Sequence, residues 1–187
     1  MKKALFALLV FAILAGLGGY GAMRYAAPRQ PLDLNYKHVP IGDLAFGMVR
    51  RLSLDLILTE ADVNNIGKEA LAGKRDYSPG VRIDGARFRL SGGRLIADVN
   101  VTVKNRIPVG LTVTYKLDWR DPDLIAEAEK ANVRNISLPV HHFRDIVIPL
   151  GNKVPKPLRI ESVTAGEGEL TVRLMRPSLK DLPLLTE

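Results

Sequence analysis

Apolar and polar residues alternate through the middle of the chain, and this pattern predicts long β-strands. Every second residue from Leu95 to Val103 is apolar, and the same alternation recurs from Leu111 to Leu117. A period of two places one face of a strand on a core and the other face in water. The first run exceeds the five or six residues, roughly, of an average strand, so we expect a long and curved sheet.

Further strands are predicted on both sides of these two. The alternation from Val81 to Leu90 changes phase at Gly85, as a β-bulge requires, and residues 158–164 and 169–174 have the pattern of a closing hairpin. Residues 124–130 have the composition of a helix, but a hairpin partner for the strand that ends at Leu117 is otherwise missing. We therefore predict strand from residue 124 to residue 138.

Helical spacing of apolar residues appears at three places. The first predicted helix follows Pro40 and ends near Arg50 and Arg51, before a strand over residues 52–58. The second occupies residues 59–73 and begins with a capping box.

The third predicted helix runs from Val140 to Leu150 and is ended by Gly151. Together these elements predict an α+β fold, in which a long curved antiparallel sheet packs against two or three short helices.

An unbroken apolar run precedes this domain. Residues 4–23 carry no charge, and 20 such residues form a helix about 30 Å long, which is enough to cross a bilayer. We expect residues 1–27 to be an N-terminal transmembrane anchor. A cleaved secretory signal is the alternative, because Gly19, Gly21 and Ala22 supply a weak cleavage site.

In either case we expect the remaining chain to be extracytoplasmic, since no second apolar segment is long enough to return. With the anchor retained, the protein is a single-pass protein of the cell membrane. Residues 28–40 contain three prolines and predict an extended tether. The extracytoplasmic domain then covers residues 41–176, followed by a C-terminal tail of residues 177–187.

The net charge of +7 is concentrated beside the predicted anchor. Residues 1–39 hold five basic groups and one acidic group, so the domain itself is only mildly basic. This distribution argues against a nucleic-acid partner and is ordinary for a segment that faces anionic lipid. The absence of cysteine excludes disulfides, thiolate metal ligands and a lipoprotein anchor.

The sequence offers no pattern of catalytic residues, and we predict no enzyme activity and no cofactor. No serine lies in a G-x-S-x-G turn, and Gly92–Gly93 is too short to cradle a phosphate. The best cluster of metal-ligand types is His141, His142 and Asp145. His38 lies in the tether, where we expect it to be too mobile to serve as a further ligand, so no metal site is predicted.

Several segments resemble the YpmS-like family of exported Gram-positive proteins and, more distantly, the tubular lipid-binding (TULIP-like) superfamily. They are the LTEADVNN start of the second helix, the ISLP run at residues 136–139 and the strand near residues 157–160. The resemblance covers about residues 52–174. It implies a curved sheet wrapped partly around a helix, with an apolar groove that accepts an acyl chain and no catalytic residues.

The function predicted is therefore non-catalytic binding of a lipid or a lipid-linked envelope precursor. Candidate groove residues are apolar positions of the alternating strands and of the third helix: Leu54, Leu56, Val99, Val101, Val103, Leu111, Val113 and Phe143. Arg50 and Arg51 are candidates for contact with lipid headgroups, but charged helix ends in water are the favoured explanation, because cations near helix C-termini are common. The alternative function is an envelope scaffold with a closed core and a protein partner.

Overall fold

The computed structural model describes residues 18–49, 53–156 and 158–175. Two antiparallel sheets and three short helices form an α+β fold, and the larger sheet curls into a half-barrel, so the predicted fold class is confirmed in these respects. Most of the predicted N-terminal anchor, residues Arg50 and Arg51, and the C-terminal tail lie outside the described residues. No helix in the described ranges is long and apolar enough to span a bilayer.

The larger sheet has the strand order β2-β3-β4-β5-β6-β7, and β8 pairs with β6. Its strands are β2 (Asp76–Ser78), β3 (Val81–Ser91), β4 (Arg94–Val103), β5 (Ile107–Arg120), β6 (Asp123–Val133), β7 (Ile136–Leu138) and β8 (Ile146–Ile148). The smaller sheet has the order β1-β10-β9, built from β1 (Asp55–Thr59), β9 (Ile160–Ala165) and β10 (Glu169–Leu174).

The predicted bulge and hairpins are confirmed. The β3–β4 register shifts between Ile83 and Gly85, where the apolar phase changes. Strand β6 is paired with β5 along most of its length, so residues 124–130 are strand in spite of their helical composition. Cross-strand hydrogen bonds and burial of Leu124 and Ala126 outweigh a weak local preference.

The strand predicted to run on to residue 138 is interrupted, which the sequence pattern missed. The chain turns at Arg134, whose φ is 54°, and β7 returns antiparallel to the end of β6.

The helix predicted from Val140 to Leu150 is wrong. That segment contains a 3-10 turn at Val140–His142, strand β8 and a second 3-10 turn at Gly151–Lys153. The physical reason is that three consecutive β-branched residues meet the free edge of β6 at residues 124–126. Pro149 then follows, and a proline in that position removes a donor that a continuous helix needs.

The helices are α1 (residues 18–26), α2 (Ile41–Val49) and α3 (Glu60–Ala72). The capping box of α3 is confirmed, because the Asp62 amide donates to Thr59 Oγ1 and the Thr59 amide donates to Asp62 Oδ2. Side chains of α3 also cover the outer edge of β3. Asn64 Oδ1 accepts from the Phe88 amide at 2.9 Å, and Glu60 Oε2 accepts from the Leu90 amide at 3.0 Å.

Residues 28–40 are extended, but they pack on the domain. Leu34 and Val39 are buried, and the Asp33 carbonyl accepts from the Ala86 amide of β3. A carboxylate oxygen of Asp33 lies 2.9 Å from Lys68 Nζ on α3, and His38 Nδ1 lies 3.2 Å from Glu69 Oε1. His38 therefore lies beside α3, in a segment that contacts the domain.

Candidate ligand groove

The inner face of the larger sheet bounds an apolar cavity of about 500 Å³. Its walls are side chains of strands β2 to β6, one residue of α3 and the segment from β7 to β8. They are Leu71, Tyr77, Ser78, Val81, Ile83, Phe88, Ala97, Val99, Val101, Val103, Val109, Leu111, Val113, Tyr115, Val133, Leu138, Phe143, Arg144 and Ile146. Small-molecule sites commonly occupy about 300–1,000 Å³ and are mostly apolar, so the cavity has the size of a ligand site.

Burial of the lining residues changes along the strands. Ala97 and Val113, in the middle of β4 and β5, are almost fully buried. Val103 and Val109, beside the β4–β5 turn, are only half-buried, as are Val81 and Val133. The cavity is therefore deepest near the middle of the sheet and opens towards the end where these turns lie.

A second cavity, of about 190 Å³, continues the first between α3 and β8. Leu71, Phe88 and Ile146 line both cavities. The second cavity is bounded mainly by apolar residues, with Glu69 and Lys153 as its charged members. We call the two connected cavities the groove.

A few polar groups lie among the apolar walls of the larger cavity. The Arg144 amide donates a 2.9 Å hydrogen bond to the Tyr77 hydroxyl. Tyr115 is 7% exposed, and this burial raises the pKa of its hydroxyl to about 12, with smaller contributions from Tyr77 and from the Asp145 carboxylate. Tyr115 is therefore a neutral hydroxyl at physiological pH, able to orient a ligand by hydrogen bonding.

Six of the eight predicted groove residues line this cavity: Val99, Val101, Val103, Leu111, Val113 and Phe143. The other two do not. Leu56 is 3% exposed on β1 of the smaller sheet, and Leu54 precedes that strand, where its carbonyl accepts from the Leu174 amide. Their alternation correctly indicates a buried strand face, but that strand belongs to the smaller sheet, which does not line the larger cavity.

Sequence reasoning missed several lining residues. Val109 shares the phase of Leu111 and is recognisable from the same alternation once β5 is extended back to Ile107. Tyr77 lies on a strand of three residues, and Ile146 lies where a helix was predicted. Neither position has a sequence pattern that assigns it to a groove.

The structure describes the side chains of His141 and Asp145, two of the residues considered for a metal site. His141 lies in a 3-10 turn, and Asp145 Oδ1 accepts from the Ala128 amide at 3.2 Å. Among the residues that the structure describes, no three His, Asp or Glu side chains are close enough to hold an ion.

Comparison with known proteins finds no matching family model, no similar curated protein and no similar solved structure.

Proposed function

We propose that this chain binds a lipid, or a lipid-linked precursor of the cell envelope, through an acyl chain held in the groove, without catalysis. The observation that carries the proposal is the cavity of about 500 Å³ with its nearly continuous apolar lining. The resemblance to the YpmS-like family and, more distantly, to the tubular lipid-binding superfamily favours the same class of ligand.

The size of the cavity supports a ligand in preference to a closed core. Protein interiors pack with few voids larger than a water molecule, and an open apolar cleft leaves its lining in contact with water at a cost of about 25 cal/mol per Å². The scaffold alternative requires a closed core, so the cavity weighs against it.

The chemistry of the lining suits an acyl chain. Transfer of each methylene from water into apolar surroundings stabilises a complex by about 0.8 kcal/mol, so a chain of ordinary length needs no specific polar contact. Tyr115 supplies a buried hydroxyl group to the cavity wall, which fits a ligand that is mostly apolar with one polar group.

We further propose that the apolar run at residues 4–23 anchors the protein and that the domain is extracytoplasmic. In that location the groove lies within reach of membrane lipids.

The test is native mass spectrometry of the full chain released from a mild detergent, with organic extraction of bound molecules. We expect a discrete adduct of lipid mass on the wild type. Val99→Phe with Val103→Phe fills the groove from two half-buried positions and is expected to abolish that adduct.

Thr114→Phe is the matched control, because Thr114 has the opposite phase on β5 and does not line the groove. It should keep the adduct. A wild-type chain without an adduct, even after incubation with membrane lipid extract, overturns the proposal.

A further inference from the structure

Three turns at one end of the larger sheet carry basic and neutral residues only. They are residues 79–80 before β3, 104–106 between β4 and β5, and 134–135 between β6 and β7. Lys104, Arg106 and Arg134 are exposed there. In the described part of the chain, Lys104 and Arg106 form no ion pair.

The N-terminal segment reaches the domain at this same end. The Arg134 guanidinium carbon lies 4.8 Å from the centroid of the Tyr25 ring, and Arg134 Nη2 donates to the Arg24 carbonyl at 3.4 Å. Pro28 packs against Gly110, where an added Cβ lies 3.0 Å from Pro28 Cα. Arg24 and Arg29 are exposed and add two cations to this end. We call Arg24, Arg29, Lys104, Arg106 and Arg134 the basic end.

At the opposite end of the sheet Arg94 and Arg120 are paired with carboxylates, and of its cations only Lys116 forms no ion pair among the described residues. Arg94 Nε lies 2.7 Å from Glu129, and Arg120 lies 2.9 Å from Asp118 and 2.6 Å from Glu127. The two ends therefore differ in the positive charge available to a partner.

The groove opens at the basic end. The half-buried lining residues Val81, Val103, Val109 and Val133 all lie beside its turns. Ile136, directly after the 134–135 turn, is 54% exposed. Exposed apolar side chains next to exposed cations suit a membrane surface, where anionic headgroups cover the acyl chains.

We propose that the basic end docks on an anionic lipid bilayer, with the mouth of the groove against the lipid. The inference rests on the proposed function, and it identifies the bilayer surface as the source of the groove's ligand. Each cation near such a surface strengthens attraction about fivefold, so five of them orient the domain. A chain entering the groove then avoids bulk water.

The first test uses the absence of cysteine to place a single label on the full chain in lipid nanodiscs. Asn135→Cys lies in a turn of the basic end, and Ser91→Cys lies at the opposite end of β3. Each variant carries an environment-sensitive fluorophore, in discs of phosphatidylcholine with or without phosphatidylglycerol.

The expected result is a blue shift and protection from acrylamide quenching at position 135 when phosphatidylglycerol is present. Position 91 should stay exposed to water in both lipids. Equal exposure of the two labels, or protection of position 91 alone, overturns the docking proposal.

A second test removes cations. It distinguishes docking by electrostatic attraction from mere closeness of the domain to the bilayer. Arg29→Gln, Lys104→Gln and Arg106→Gln together should remove the phosphatidylglycerol-dependent shift. Lys116→Gln, Lys156→Gln and Arg159→Gln change the net charge equally, away from the basic end, and should retain it. Equal effects of the two triple variants contradict the proposal.

Native mass spectrometry of the same chain tests ligand binding separately from docking. A persistent lipid adduct together with a water-exposed label at position 135 overturns the docking alone. A protected label without an adduct supports docking and overturns ligand binding.

Discussion

The Tyr77 hydroxyl on β2 accepts a 2.9 Å hydrogen bond from the backbone amide of Arg144, next to the opposite edge of the larger sheet. Strand β2 is the first strand in the sheet order, and β7 and the segment after it form the last edge. The bond therefore joins the two edges of the half-barrel beside the groove, and both residues line the larger cavity.

Tyr77→Phe tests the contribution of this bond. Loss of the hydrogen bond from the Arg144 amide, which is an exposed bond, should lower the free energy of unfolding by about 0.5 kcal/mol. Locally, the amide of Arg144 should exchange with solvent faster, because it loses its acceptor. Hydrogen exchange with mass spectrometry over residues 140–146 measures this, and an unchanged exchange rate there would show that the edges are held by other contacts.

Gly67 is the position where α3 approaches the groove most closely. A Cβ added at Gly67 lies 2.9 Å from Phe88 Cγ, so Gly67→Ala pushes the Phe88 ring towards the two cavities that it lines. Overpacking of this kind costs about 1–3 kcal/mol, which exceeds the gain in helix propensity of about 1 kcal/mol. We expect a lower midpoint of urea unfolding.

The matched control is Gly73→Ala at the end of α3, where an added Cβ meets nothing within 4 Å. Gly73 has a φ of −79°, which alanine adopts freely, so this variant should be unchanged or slightly more stable. A Gly67→Ala variant as stable as the wild type would contradict the close helix–sheet contact.

Gly85 holds residues 28–40 against β3. An added Cβ there lies 2.6 Å from the Asp33 amide nitrogen and overlaps the Leu32 carbonyl. Gly85→Ala should therefore displace this segment and break the Ala86–Asp33 hydrogen bond. Trypsin should then cleave after Lys37 faster than in the wild type.

Gly47→Ala on α2 is the control for that experiment, because its added Cβ meets nothing within 4 Å. Equal cleavage rates in the wild type and Gly85→Ala would mean that the segment binds the domain without this close approach.

Because Tyr115 is buried, the free energy of unfolding should depend on pH in the alkaline range. Its pKa is raised to about 12 in the folded protein, against about 10 in the unfolded chain, so the folded state retains the proton more strongly. The stabilisation is complete below pH 10, approximately, and is lost as the pH rises towards 12.

Tyr115→Phe should remove this step from the stability curve and remove the late component of tyrosinate absorbance at 295 nm. An absorbance titration of the variant identical to that of the wild type would contradict the burial of this hydroxyl.

Period-two alternation was sufficient to predict β3, β4 and β5, the central strands of the larger sheet. Val99, Val101 and Val103 share one face because strand geometry allows no other arrangement, and the same reasoning placed Leu111 and Val113 beside them. Thr59 and Asp62 identified the start of α3 through a local interaction between adjacent turns. These features depend on near neighbours in the chain.

Other features depend on partners far along the chain. The periodicity of Leu56 indicates a buried face but not which sheet it belongs to, since β1 pairs with β10 more than a hundred residues away. Ile146–Ile148 lies in a segment whose apolar residues have helical spacing. It is a strand because it pairs with the free edge of β6. The groove itself arises from sheet curvature, which no single residue encodes.

The most direct test of the central claim is photo-crosslinking of the full chain with a fatty acid that carries a diazirine near its methyl end, followed by peptide mapping. Within the domain, we predict that crosslinks fall on inward residues of β4 and β5 and on Phe143 to Ile146, and that Val99→Phe with Val103→Phe prevents them. Crosslinks confined to outward residues such as Thr114, or unaffected by filling the groove, would contradict the account.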